Sequence, residues 1–593
     1  MQDVVEVHRA VPATEQAQAW VEAWLADFTA ALVRRDAGAV AALFLPDGLW
    51  RDVLAFTWTI ETESGRAAIE TMLRDRLGVV EPANFHIPAQ RTPPRKVRRA
   101  GRTCVEALLS FETAFGPSSG VLRLVSDPAS GAPRAWMILT ALDELRGHEE
   151  AWKKRDAAAE AHSRDFGAPN WLDQRNAARS YTGREPTVIV VGGGQAGLSI
   201  AARLKQLDVD TLIVDRHERI GDNWRKRYHA LTLHNEMHVN HLPYLPFPPT
   251  WPTFIPKDML ANWFESYVEA MELNFWTGTA LAGGDYDEQQ KRWNVTLRRS
   301  DGSTRVMHPR HLIFATGVSS IPVKPELPGL DDFAGTIAHS GHFDSGKQWR
   351  GRKALVVGTG TSAHDVAQEL YSSGADVTMI QRSKTYVVSL KEAQRVYSIY
   401  SEGIPFDDCD LLATSFPYPL LQRSYQLSTE QSRKVDKPLH DALEARGFRL
   451  HFGEDDTGFQ MMYLRRGGGY YFNVGCSDLI AGGKIALLQY ADVDRFVPQG
   501  ALLKNGHIVP ADLIVLATGY RNQQDTVRAV LNDAIAERIG PVWGFDESGE
   551  LRNMWRPTAQ PGLWFTAGSL AQCRIYSRYL ALQIKALEEN LIR

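Results

Sequence analysis

Two glycine-rich turns, each set between an apolar run and an apolar helix, constrain this chain more than any other feature. The first, Gly192-Gly193-Gly194-Gln195-Ala196-Gly197, follows Val188-Ile189-Val190-Val191 and leads into Leu198, Ile200, Ala201 and Leu204. The second, Gly358-Thr359-Gly360-Thr361-Ser362-Ala363, follows Leu355-Val356-Val357. In a G-x-G-x-x-G/A turn the first glycine permits the tight bend. The second lets backbone approach a pyrophosphate, and the third lets helix and strand pack closely. The helix start then offers unpaired N–H groups to the phosphates. Two such turns predict an α/β chain with two Rossmann-like dinucleotide-binding domains, and electron flow between two nucleotide cofactors.

The residues beyond each turn differ. After the first, Leu212-Ile213-Val214 ends in Asp215, 18 residues past Gly197, with Arg216 beside it. A carboxylate there accepts from adenosine ribose hydroxyls. After the second, Val377-Thr378-Met379-Ile380 ends in Gln381-Arg382-Ser383-Lys384, with no acid. Arg382, with Ser383, suits a 2′-phosphate, which an Asp or Glu would repel. NADPH is therefore expected in preference to NADH.

A disulfide reductase shares this two-turn plan but needs a neighbouring thiol pair. The four cysteines, Cys104, Cys409, Cys476 and Cys573, are isolated, so the thiol route is closed. At 593 residues about three domains are expected. The formal charge of -4 gives no reason to expect nucleic acid. The opening MQDVVEVHRA lacks a basic then apolar leader, and no apolar run is long enough to span a bilayer. A cytoplasmic homodimer acting on a small organic substrate is the expectation. His234, His238 and His241 do not form H-E-x-x-H, and no metal is expected.

Residues 1–150 read as a separate α+β unit. Trp20, Trp24, Phe28 and Leu32 recur at helical spacing, and Cys104–Thr113, Gly120–Val125 and Ala135–Leu142 read as strands. Helices leading into strands suggest a cone-shaped α+β barrel. The run Ala41-Ala42-Leu43-Phe44 to Asp47, with Trp50-Arg51-Asp52, resembles the nuclear-transport-factor-2/SnoaL-like family. That resemblance implies a docking or dimerisation module, with Asp52 and His86 as alternative catalytic groups. The basic stretch Arg91–Arg102 is expected as a solvated strand edge. Residues 151–183 read as a linker helix, 184–343 and 521–593 as two parts of the flavin domain, and 344–520 as the nicotinamide domain. The segment 401–475 carries no assignable pattern.

Further motifs carry a second resemblance. Phe333 to Phe343 spells F-x-G-x-x-x-H-x-x-x-F around Gly335 and His339. Ile220-Gly221-Asp222-Asn223-Trp224-Arg225, Ala315-Thr316-Gly317, Ala517-Thr518-Gly519-Tyr520 and the Gly562–Gly568 tail accompany it. Together these resemble the class B flavoprotein monooxygenases over residues 184–593. The resemblance implies FAD at the first turn, with Gln195, Asn223, Trp224 and Gly568 near the flavin, and NADPH at the second. It implies transfer of one atom of O2 through a C4a-(hydro)peroxyflavin. Asn235 matches an active-site asparagine that holds that species, and His339 orients the interdomain linkers. Phe343 stands where Baeyer–Villiger enzymes usually carry Trp. Thr361 and His364, with the N-terminal extension, resemble the bacterial type II flavin-containing monooxygenases. Those imply Baeyer–Villiger oxidation of ketones to esters or lactones and looser NADPH/NADH discrimination, with His364 at the cofactor. S- or N-oxygenation, indole-pyruvate-type decarboxylation and a non-oxygenating NADPH oxidase or flavin reductase remain alternatives.

Overall fold

The structure, a computed structural model, describes residues 15–154 and 166–592. Residues 155–165 of the segment expected as a linker helix lie outside them. What is described there is a short 3-10 turn at Ala151–Lys153 and a helix at Trp171–Ser180 closed by an Asn170/Asp173 capping box.

Apolar spacing in helix Glu15–Val33 buries Trp24, Leu25, Phe28 and Leu32. They pack on a seven-stranded sheet in which Phe44–Val53 runs parallel to Pro133–Leu142, flanked by antiparallel neighbours. Its hydrogen-bonded path runs from Ile60–Ser64 at one edge to Ala83–His86 and Arg95–Arg99 at the other, and does not close on itself.

The first parallel sheet orders its strands Asn274–Trp276, Thr211–Val214, Val188–Val191, His311–Phe314 and Leu563–Phe565. Three of its inner strands read as almost continuous apolar runs, because helices cover both faces of a parallel sheet. The last strand returns from the far end of the chain. Helix Leu570–Glu588, capped by a Ser569/Gln572 box, then packs against helix Gln195–Gln206.

The second sheet orders Thr336–His339, Leu513–Leu516, Lys353–Val357, Asp376–Gln381 and Ala486–Gln489, again all parallel. Its edge strand Thr336–His339 lies within the F-x-G-x-x-x-H-x-x-x-F segment, so the second unit takes up the chain before residue 344. The signature thereby acquires a physical reading. Phe333 and Phe343 are buried in two different cores of the second unit. A side chain on Gly335 would strike the Asp512 carbonyl at 2.5 Å.

The unassigned segment 401–475 is mostly helical, with helices at Phe406–Thr414, Tyr418–Val435, Lys437–Ala445 and Gly458–Arg466. Its periodicity is hard to read because these helices divide their apolar faces between the cores and a large cavity.

Candidate functional site

Both glycine turns show the geometry of a nucleotide cradle. Gly192 has φ +111°, and a Cβ there would lie 2.6 Å from the Ala315 carbonyl. A Cβ on Gly197 would lie 2.0 Å from the Gly192 carbonyl, so only glycine lets the helix pack on its strand. Gly358 repeats this at φ +123°, against the Ala517 carbonyl at 2.5 Å. Gly360 differs: a Cβ there would meet nothing closer than 3.9 Å, which leaves its backbone open to a ligand. Helices Gln195–Gln206 and Thr361–Ser372 both start on a glycine with no side-chain cap. Their first N–H groups therefore wait for an acceptor, which is what a pyrophosphate supplies. The residues present fit two bound dinucleotides.

Asp215 accepts from the Gly193 N–H at 2.7 Å and from the His217 N–H at 2.8 Å. Burial works to raise its pKa, but the bonds from His217 and Gly193 outweigh it, so the carboxyl is held below its usual range. It remains an anionic acceptor. Arg216 beside it is exposed. The flavin-side residues gather on Gln195, which donates to the Gly568 carbonyl at 3.2 Å and accepts from Trp224 Nε1 at 3.2 Å. Asn223 Nδ2 lies beside Gly194. Thr316 has a buried hydroxyl with no partner, and the Gly317 carbonyl accepts from Gln523.

One cavity of about 1440 Å³ joins the two units. Gly358 through Ala363, Arg382, Ser383, Thr518 and Gly519 line it on one side, and Gln195, Trp224, Asn235 and Gly568 on the other. Gly192, Gly194, Ala196, Gly197, Asp215, Arg216, Asn223, Thr316 and Gly317 are not among its lining residues.

Asn235 projects from the strand Thr232–Glu236 and donates through Nδ2 to the Tyr397 hydroxyl at 2.9 Å. Burial lifts the Tyr397 phenol to about 12, so the hydroxyl stays protonated. The second N–H of Asn235 remains for a ligand. His339 does not line the cavity. Its Nδ1 accepts from the Gly341 N–H at 3.0 Å, which fixes the proton on Nε2, where it is donated to the Gly519 carbonyl at 3.2 Å. Thr518 Oγ1 donates to the Val323 carbonyl at 2.5 Å, and the Val323 N–H returns to Gly519 at 3.0 Å. Both crossings between the units are thereby tied at one point.

His364 requires a correction. Its imidazole is fully buried, stacked on Tyr471 at 4.0 Å, with Nδ1 on the Gly360 carbonyl at 3.2 Å. Burial pushes its pKa down to about 4. It faces the interior of the second unit and does not line the cavity. The buried face of helix Thr361–Ser372 takes in Ala363, His364, Val366 and Ala367, so position 364 points inward.

The strand-end charge is larger than the sequence suggested. Lys384, His451 and Arg466 line the cavity with Arg382, and Arg449 donates to the Arg382 carbonyl at 2.6 Å. His451 and Arg466 come from the segment 401–475, so only the tertiary fold unites them with Arg382.

The N-terminal unit departs most from expectation. Asp52 is sealed by bonds from Thr140 Oγ1 at 2.6 Å, Thr57 Oγ1 at 2.8 Å and two backbone N–H groups. His86 sits on an exposed strand. The two are not brought together, and the core of the unit is filled by rings, including the stacked pairs Trp24–Phe28 and Phe85–Phe111. The stretch Arg91–Arg102 is solvated only in part, at Lys96 and Arg98. Arg95 and Arg99 are buried against Glu106 and Glu402, and Arg91 pairs with Asp408 at 2.7 Å. Their acidic partners include residues from the segment 401–475.

Comparison with known proteins agrees with this geometry. Residues 189–401 match the family described as pyridine nucleotide-disulphide oxidoreductase, although the four cysteines here are free, buried and unpaired. Indole-3-pyruvate monooxygenase YUCCA1 of Oryza sativa subsp. japonica is 30% identical over 57% of this chain and 77% of its own. Probable indole-3-pyruvate monooxygenase YUCCA7 of Arabidopsis thaliana is 29% identical over 56% of this chain and 74% of its own. An ε-caprolactone-bound cyclohexanone monooxygenase structure shares the fold over 68% of this chain and 88% of its own, at 16% identity and a TM-score of 0.50. Fold and site define a two-dinucleotide flavoprotein oxidoreductase. The chain belongs to the flavin-containing monooxygenases, the class B family of the indole-3-pyruvate enzymes, and its cofactors are FAD and NADPH. No helix among the described residues is long and apolar enough to cross a membrane.

Proposed function

We propose that this enzyme transfers one oxygen atom of O2 to a substrate at its ketone carbonyl, giving an ester or lactone from a simple ketone. Bound FAD, once reduced by NADPH, supplies the oxygen activation. The chain's own residues do the rest. The uncapped helix starts at Gln195 and Thr361 hold the two pyrophosphates, Asp215 holds the adenosine ribose of FAD, and Arg382 with its basic neighbours holds the 2′-phosphate of NADPH. Asn235, anchored on Tyr397, presents an N–H where the oxygen transfer takes place. His339 keeps the two units in register, and the apolar side chains of the cavity limit water around the reacting atoms.

The observation that carries this reading is the single cavity that joins the nicotinamide turn, the flavin-side residues and the Asn235–Tyr397 pair. The similarity to indole-3-pyruvate monooxygenases favours a second reading, oxidative decarboxylation of an aromatic 2-oxo acid. Both place the oxygen on a carbonyl carbon. The test is product analysis with cyclobutanone, indole-3-pyruvate, a thioether and a tertiary amine, at matched NADPH and NADH. Lactone from cyclobutanone supports the first reading and indole-3-acetate the second. Product from the thioether or amine alone overturns both.

A further inference from the structure

The N-terminal unit supplies Arg51, Ile60, Arg98, Arg99 and Ala100 to the lining of the monooxygenase cavity. Arg51 is almost wholly buried and binds Glu550 with both ends of its fork, Nε to Oε1 at 3.0 Å and Nη2 to Oε2 at 2.7 Å. Its remaining nitrogen donates to the carbonyls of Thr414 and Phe416. Thr62 Oγ1 also reaches Glu550, and Arg556 Nη1 reaches back to the Ile60 carbonyl at 3.0 Å. A second seam joins Arg95 and Arg99 to Glu402, and Thr92 to Asp408. The turn that follows, at Gly101, sits on Leu427 of the helix Tyr418–Val435.

Charged groups buried this way are costly to leave unpaired, so the seam holds the unit in one place. A domain tethered only for docking or pairing with other molecules has no need of it. The segments it grips also line the cavity, through Phe416, Phe545, Leu551 and Met554. This end of the cavity is apolar and aromatic. Of its arginines, Arg51, Arg99 and Arg556 are each paired with a carboxylate, while Arg98 is exposed and donates to the Gly101 carbonyl.

We propose that the N-terminal unit is the substrate-selecting wall of the enzyme, with Ile60 and Arg98 setting how large an apolar substrate the cavity admits. This rests on the carbonyl-oxygenation reading only for the choice of probes. The favoured substrate class is a neutral, bulky ketone whose apolar body lies against Ile60 and the aromatic side chains opposite it. Replacing either residue by a larger one narrows that end and leaves the flavin end as it is.

The experiment uses the full-length holoenzyme and the variants Ile60→Trp and Arg98→Trp. Dissociation constants for cyclododecanone and cyclobutanone are read from the perturbation of the bound-flavin spectrum, which needs no turnover. The cyclododecanone-to-cyclobutanone ratio is expected to rise at least tenfold in each variant that retains FAD. An unchanged ratio overturns the proposal, as does a wild-type spectrum that cyclododecanone does not perturb. Should Ile60→Trp lose FAD, Arg98→Trp decides alone, because position 98 is exposed and tolerates a large side chain. If both ketones bind and no ester or lactone forms, the oxygenation reading fails while the ratio still judges the wall.

Discussion

His339 donates from Nε2 to the carbonyl of Gly519 across 180 residues of chain, at 3.2 Å. The bond ties the edge strand of the nicotinamide sheet to the crossing that returns to the flavin unit. A histidine outside the cavity thereby joins the two units.

Replacing His339 by Ala should leave FAD bound and slow flavin reduction at saturating NADPH by about tenfold, the worth of one hydrogen bond that holds a reactive geometry. Stopped-flow bleaching of the flavin band measures it. His339→Gln, which can still donate to the Gly519 carbonyl, should recover part of the rate. A purely structural role would lower FAD content in both variants.

Asn235→Ala should keep FAD and NADPH oxidation but divert the electrons to hydrogen peroxide, because the N–H anchored by Tyr397 is lost. The check is the ratio of product to NADPH consumed, with peroxide titrated alongside. Tyr397→Phe should produce a milder form of the same uncoupling.

Arg382→Ala should raise the KM for NADPH about ten- to a hundredfold, the worth of a charge-assisted bond to phosphate, and move the KM for NADH little. Steady-state kinetics with both nucleotides separate these. His364→Asn should leave the NADPH/NADH ratio near wild type, since the imidazole is buried behind the turn.

Arg51→Met should cost about 3–5 kcal/mol by leaving Glu550 buried and unpaired, and Arg51→Met with Glu550→Met should recover much of it. Calorimetric melting of the two variants and the wild type gives the coupling.

His364 also predicts a pH dependence. Its folded pKa of about 4 lies below the unfolded value of about 6.5, so the unfolded chain binds the extra proton between them. The stability it contributes is full above about pH 6.5 and lost as pH falls toward 4, about 2 kcal/mol of it by pH 5. Melting curves between pH 7 and 5 should show the loss, and His364→Asn should flatten it.

Much of this site was legible because its chemistry rests on backbone. Gly192, Gly197 and Gly358 are required by contacts with carbonyls only a few ångströms away, and short local spacing records such requirements. Asp215 and Arg382 were legible for the same reason, each standing at a strand end next to its turn. His364 misled because the spacing marks it as near the turn without saying which side of the helix it faces. The partners Tyr397, Glu402, Asp408, His451 and Glu550 were invisible, because each meets its residue through the tertiary fold and not through spacing. Arg91–Arg102 looked solvated throughout since a basic run shows its charges and hides the carboxylates that bury Arg95 and Arg99.

The most direct test of the central claim is oxygenation of cyclobutanone under 18O2 with NADPH. The expected result is lactone carrying one 18O atom per NADPH consumed, with no label from H2 18O appearing at the inserted position. NADPH consumption that yields only labelled hydrogen peroxide, with cyclobutanone and indole-3-pyruvate both recovered unchanged, would contradict it.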